Sequence, residues 1–145
     1  KFVCCVYPFS VLIKPKDIIS SYKVIIKNKF DYVISVNKYS HPPQRSFFLK
    51  KNKTLKFTNK KFFKVRTQDL KEIYHDAGQF YWGKRESWIK KKPFFFDNSF
   101  GYYLPRHQSV DLDTHEDFEL LKKIFKKTRK YRLCAGRNEK SFLCS

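Results

Sequence analysis

Methionine is absent from the 145 residues, glycine numbers only 4, and 13 acidic residues face 32 Lys and Arg, a formal charge of +19. Each shortage excludes something. No apolar run approaches the roughly 20 residues needed to cross a bilayer. The opening Lys1-Phe2-Val3-Cys4-Cys5-Val6-Tyr7-Pro8 has neither the apolar stretch nor the small-residue cleavage site of a secretion signal. The expectation is a cytoplasmic protein with no membrane partner. The cysteines lack zinc-ligand spacing: Cys4 and Cys5 are adjacent in an apolar run, and Cys134 and Cys144 lie in a polar tail with no His at finger distance. They read as buried or idle thiols. Without an initiating Met, and opening in what reads as a buried strand, the chain is expected to be the later part of a longer domain.

What is present suffices for a core. Apolar residues make up 41 % and aromatic residues 19 %, which argues against disorder despite the charge, and the length suits one domain. The charge has two readings. Clustered Lys and Arg can displace counterions from a polyanion, which would make this a basic nucleic-acid-binding module. Alternatively, 25 of the 32 basic residues are Lys and travel with Ile, Asn, Phe and Tyr, the set that A/T-rich codons encode. The second reading is favoured. The densest stretch, Lys50 to Lys64, interleaves Phe57, Phe62 and Phe63 but has no Pro, no Gly and no RNA-binding signature.

Hydrophobic spacing predicts a strand over Phe2 to Tyr7 buried on both faces, then a helix opened by Pro15, with Asp17 in its first turn and Ile18, Ile19, Tyr22, Ile25 and Ile26 on one side. A second strand over Tyr32 to Val36 completes the strand-helix-strand order of a parallel or mixed sheet. From Asn37 to Tyr74 the chain makes an excursion, with a stop at His41-Pro42-Pro43, a candidate strand over Gln44 to Leu49 and hairpin-like alternation around Asn52-Lys53. Strands over Gln79 to Trp82 and Ser99 to Leu104 and a short helix over Glu86 to Lys90 follow. Thr114-His115-Glu116-Asp117 is a capping-box-like start for a helix with a Phe118, Leu121, Ile124, Phe125 stripe. Residues 1–127 form the expected domain portion, and 128–145 a basic, poorly ordered tail.

Two segments could carry chemistry. Asp111 and Asp113, two residues apart, project to one side of an extended segment and could share a hard cation such as Mg2+, the ion of phosphoryl and nucleotidyl transfer. From the pair alone the favoured reading is plainer, that Asp113 and Thr114 cap the last helix. In His75-Asp76-Ala77-Gly78-Gln79-Phe80-Tyr81-Trp82-Gly83, a glycine among polar groups permits close ligand approach, while His75, Asp76 and Gln79 offer hydrogen bonds to a polyhydroxylated molecule. A turn leading into an aromatic strand explains the segment as well.

This segment, Arg66-Thr67-Gln68-Asp69-Leu70 upstream of it, Leu104-Pro105-Arg106, Val110 to Thr114, the opening Cys4 to Pro8 and the Pro43-Gln44-Arg45 step together resemble the acylneuraminate cytidylyltransferase family, in particular its pseudaminic acid branch. The resemblance runs from about Phe2 to Phe125. It implies an α/β, mixed-sheet nucleotide-diphospho-sugar transferase fold, Rossmann-like and GT-A-like. It also implies transfer of CMP from CTP to a nonulosonic acid with release of pyrophosphate. By motif match, Asp111 and Asp113 would be catalytic and hold magnesium. Tyr7 and Ser10 would contact nucleotide and sugar, Asp76, Gly78 and Gln79 would line the sugar pocket, and Arg106 would join the substrate-binding set. The excursion of 37–74 resembles a dimerisation arm of a homodimer, with Arg45 and Arg66 meeting the sugar carboxylate.

Two departures stand out. The family's Thr-Ala-Pro or Thr-Ser-Pro step is Phe9-Ser10-Val11 here, and the Arg- and Gly-rich loop that cradles the CTP phosphates is missing. Without such donors the triphosphate loses most of its electrostatic stabilisation. The chain is therefore expected to lack the N-terminal nucleotide-binding half, to be inactive without it, and to associate with it or with a second copy. A noncatalytic remnant is the remaining alternative.

Overall fold

The computed structural model describes residues 1–110, 112 and 114–135, with side chains through Lys127. Four strands form the main sheet: β1 (Phe2–Val6), β2 (Tyr32–Lys38), β5 (Tyr74–Lys84) and β6 (Ser99–Tyr103). Their spatial order is β1-β5-β2-β6. β5 is antiparallel to both β1 and β2, and β6 is parallel to β2. The sheet is therefore mixed, and with its flanking helices it has the α/β architecture expected of a Rossmann-like fold.

Helix α1 (Pro15–Lys27) begins with Pro at its first turn and carries Asp17 there, both favourable at a helix N-terminus. It lies over one sheet face: Ile25 is fully buried, the Trp82 indole nitrogen donates to Ser21 Oγ (3.1 Å), and Tyr22 stacks on Trp82 at 4.8 Å. The buried stripe is Asp17, Ser21 and Ile25. Ile19, Tyr22 and Ile26 of the expected apolar stripe are exposed instead. Asp17 tolerates burial because the Tyr102 hydroxyl donates to it (3.4 Å), and the Gln108 amide, turned so that its nitrogen faces the other carboxylate oxygen, donates to it as well (2.9 Å).

The opposite face packs Tyr32, Ile34 and Tyr81 against Val36, Trp88 and Phe94. Trp88 comes from helix α2 (Arg85–Ile89), and Phe94 from the segment before β6. Helix α3 (His115–Ala135) starts with Thr114 and Asp117 bonded reciprocally, Asp117 N–H to Thr114 Oγ1 (3.2 Å) and Thr114 N–H to Asp117 Oδ2 (2.9 Å). Leu121 of the expected stripe is buried, while Phe118 and Phe125 remain exposed. Among the described residues no helix is long and apolar enough to cross a membrane.

Between β2 and β5 the chain leaves the sheet. The excursion carries the hairpin β3 (Phe47–Leu49) and β4 (Leu55–Phe57), whose turn places Lys53 at φ 65° and is braced by Asn52 accepting from Thr54. Its two ends are pinned together, Tyr39 N–H donating to the Ile73 carbonyl (3.1 Å) and Lys38 pairing with Glu72.

Two expectations are corrected. β1 is not buried on both faces: it is an edge strand with Val3 and Val6 46 % and 51 % exposed. An apolar run alone does not reveal which faces of a strand are covered, and among the described residues β1 pairs along one edge, with β5. For the same reason the Cys5 thiol is exposed and Cys4 half-buried, where burial and then neighbouring Cys5 push its thiol up to about 11. The other correction concerns His75 to Gly78, which form no turn ahead of β5 but lie inside it.

Candidate functional site

The centre of the sheet carries one strong irregularity. Ile34 of β2 pairs with Tyr81 of β5, yet Val36 pairs with Asp76. β2 thus spends only Ser35 where β5 spends Ala77, Gly78, Gln79 and Phe80, so β5 bulges out of register. A bulge strips backbone groups of their ladder partners, and every such buried group needs a substitute. Ser35, fully buried, supplies it: its Oγ accepts from the amides of both Gln79 (3.2 Å) and Phe80 (3.0 Å).

From the β1 side, Tyr7 N–H (3.0 Å) and Ser10 Oγ (2.7 Å) both donate to the Gln79 carbonyl. Inside the bulge, Gly78 takes φ +61°, the left-handed region that side chains rarely adopt, and apart from its two chain neighbours nothing lies within 4 Å of where a Cβ would point. Asp76 Oδ1 accepts from Gly78 N–H (3.0 Å), Asp76 Oδ2 accepts from the Tyr81 hydroxyl (2.5 Å), and Gln79 Nε2 donates to the Ala77 carbonyl (3.0 Å). The Tyr7 and Tyr81 rings pack at 5.3 Å. Burial, reinforced by Asp76, pushes the Tyr81 hydroxyl well above the ordinary phenol range.

Tyr7, Ser10, Asp76, Gly78 and Gln79 are thereby brought into one cluster. Arg45 and Arg66 are not part of it. They sit in the excursion, where Arg45 donates to Thr67 Oγ1 (3.1 Å) and Arg66 pairs with Asp69 (2.8 Å). Arg106 lies elsewhere again, in a short 3₁₀ turn after β6, lining a cavity of about 790 Å³ with Tyr103, His107, Ser109 and Asp117. Asp111 and Asp113 lie outside the described residues. Among the described residues no group of three or more His, Cys, Asp or Glu is placed to hold a metal ion.

Beside Asp76, on the face that holds Phe94, runs a groove of about 350 Å³ lined by Val36, Tyr74, Phe96, Phe100 and Gly101 among others. Its lining combines aromatic rings with the carboxylates of Asp76 and Asp97. Ser35 and Tyr81 are the two residues of the cluster that neither spacing nor the resemblance singled out for the site. Ser35 sits inside an apolar strand and Tyr81 inside an aromatic run, and only the register slip gives them polar tasks. Lysines lie on α1, at the two ends of α2, in the hairpin excursion and on α3, and Lys38, Lys84, Lys92 and Lys122 pair with acids.

No protein-family model matches the chain. Individual proteins do. The pseudaminic acid cytidylyltransferase of Campylobacter jejuni is 33 % identical over 124 residues, which cover 86 % of this chain and 53 % of that protein. Over most of its length this chain is similar in sequence to pseudaminic acid cytidylyltransferases. A Helicobacter pylori protein that joins a pseudaminic acid cytidylyltransferase to a UDP-2,4-diacetamido-2,4,6-trideoxy-beta-L-altropyranose hydrolase is 34 % identical over 118 residues, 81 % of this chain and 22 % of that protein. The N-acylneuraminate cytidylyltransferase of Escherichia coli is 28 % identical over 105 residues, 72 % of this chain and 25 % of that protein. The chain spans about half the length of the Campylobacter relative. The resemblance read from the motifs is thus matched at the level of acylneuraminate and pseudaminic acid cytidylyltransferases together.

Proposed function

We propose that this chain is the sugar-binding part of a CMP-nonulosonate cytidylyltransferase, most closely of the pseudaminic acid kind, acting in the cytoplasm on CTP and a nonulosonic acid. The observation that carries the reading is the 33 % identity to the Campylobacter protein across 86 % of the chain. It is supported by the meeting of Tyr7, Ser10, Asp76, Gly78 and Gln79 around the β5 bulge.

In the proposed reaction the anomeric hydroxyl oxygen of the sugar attacks the α-phosphorus of CTP. The bond to the bridging oxygen breaks, pyrophosphate leaves, and the hydroxyl proton passes to solvent or a base. Asp111 and Asp113 are paired hard-oxygen donors, the ligand class magnesium takes, and would hold such an ion, which when bound neutralises phosphate charge and makes the sugar hydroxyl a better nucleophile. The bulge would position the sugar, with Asp76 and the Gln79 side chain as hydrogen-bond partners. The Asn37 to Tyr74 excursion would join two copies as a dimerisation arm. Phosphate-binding donors for CTP would come from sequence outside this chain, and the chain alone would be inactive.

The test is pyrophosphate release from CTP, magnesium and pseudaminic acid, measured for the chain alone and mixed with the N-terminal half of the Campylobacter relative. Release is expected in the mixture only. Release with N-acetylneuraminic acid but not pseudaminic acid would transfer the assignment to the acylneuraminate branch. Absence of release together with absence of sugar binding to this chain overturns it.

A further inference from the structure

Asp76 uses both carboxylate oxygens within the protein, Oδ1 on the Gly78 amide (3.0 Å) and Oδ2 on the Tyr81 hydroxyl (2.5 Å). The two bonds differ in kind. The first is local, reaching the backbone amide two residues on. The second spans the bulge, because Asp76 precedes the slipped residues and Tyr81 follows them, back in register opposite Ile34. Tyr81 is 5 % exposed and is wedged by ring contacts to Tyr7 (5.3 Å) and Phe94 (5.6 Å), so its hydroxyl is a fixed point.

We infer that Tyr81 is the positioning residue of the candidate sugar site: its hydroxyl anchors the Asp76 carboxylate, which in turn holds Gly78 in the left-handed conformation and sets where the Gln79 backbone meets Tyr7 and Ser10. This rests on the proposed function for the identity of the ligand, but not for the mechanical link. Removing the hydroxyl leaves Asp76 free to rotate, and the Gly78 amide then loses a fixed acceptor. Ser35 restrains only the far side of the bulge, through the Gln79 and Phe80 amides.

The experiment uses the full chain and three variants, Tyr81→Phe, Asp76→Asn and the double substitution, with two readouts. The first is amide hydrogen exchange at Gly78 and Gln79. Exchange should speed up about tenfold or more in Tyr81→Phe, the scale of losing one charge-assisted hydrogen bond, and by no further factor when Tyr81→Phe is added to Asp76→Asn. The second is affinity for pseudaminic acid, in which the two single losses should likewise fail to add. A residue that merely fills the core gives additive effects, so additivity in either readout, or unchanged exchange at Gly78 in Tyr81→Phe, overturns the inference. If the unsubstituted chain binds no pseudaminic acid, the sugar reading fails while the exchange measurement still decides the role of Tyr81. Should Tyr81→Phe not fold, Asp76→Asn decides it by its effect on Gly78 exchange, with no acceleration counting against the link.

Discussion

The Asp31 carboxylate and the Lys92 ammonium, sixty-one residues apart in sequence, meet at 2.8 Å and tie the start of β2 to the segment leading into β6. Ser87 Oγ donates to the same carboxylate (3.1 Å), and Lys84 approaches it at 3.5 Å.

The hydrogen bond from Lys92, opposed by partial burial and helped by Asn98 and Ser87, lowers the Asp31 pKa from 3.8 to about 2. A carboxyl held below its unfolded value contributes stability that is complete above about pH 4 and is lost as pH falls toward 2. Asp31→Asn should therefore cost about 1 kcal/mol at pH 7, allowing for the solvent that reaches the pair. Urea denaturation at pH 7 and pH 2 checks this: the gap between variant and parent should close at the lower pH.

Gly83 and Gly78 should respond oppositely in kind to alanine. A methyl on Gly83 would press on the Trp88 indole nitrogen and lie 2.7 Å from the Tyr32 ring. Gly83→Ala should cost about 2–3 kcal/mol by overpacking. At Gly78 there is open space but φ +61°, so Gly78→Ala should cost about 1 kcal/mol through the backbone alone and Gly78→Asn less. Thermal melts of the three variants rank them.

Phe48 and Leu49 in β3 are each 62 % exposed, and Leu55 opposite Leu49 is 60 % exposed. If the hairpin joins two copies, Phe48→Asp with Leu55→Asp should halve the mass seen by light scattering while shifting subunit stability by only about 0.5 kcal/mol. An unchanged mass would remove the arm from the proposal.

Asp111→Asn and Asp113→Asn, each tested in the mixture with the Campylobacter N-terminal half, should cut magnesium-dependent pyrophosphate release by about 100-fold or more. The far-ultraviolet circular dichroism should not change. Full activity in both variants would return the pair to a helix-capping role.

Local chemistry made much of the architecture legible. Pro15 and Asp17 mark the start of α1, Asn52-Lys53 the hairpin turn, and Thr114 with Asp117 the cap of α3, because in each case the residues that decide the structure are neighbours in sequence. The environment of β1 was not legible, since exposure of Val3 and Val6 depends on which strands arrive on either side. Nor was the role of Ser35, which exists only because β5 slips against β2 far along the chain. The gathering of Tyr7 and Ser10 with Asp76 and Gln79 was expected from family resemblance. Spacing contains no trace of it, because the contacts join the segment after β1 to β5 across the whole excursion.

The position of β5 between β1 and β2 also constrains the order of folding. The first two strands run in the same direction but never touch, so β1 has no sheet partner until Tyr74–Lys84 arrives between them, and β2 has otherwise only β6. Pairing of β5 must then close the chain across the hairpin excursion, a long-range step that sets the speed of folding more than any helix does. With Tyr39 and Ile73 bonded at its neck, the excursion works as a tether. Doubling the length of such a loop costs only about 0.6 kcal/mol, so its tip can change freely in evolution without disturbing the sheet that waits on its closure.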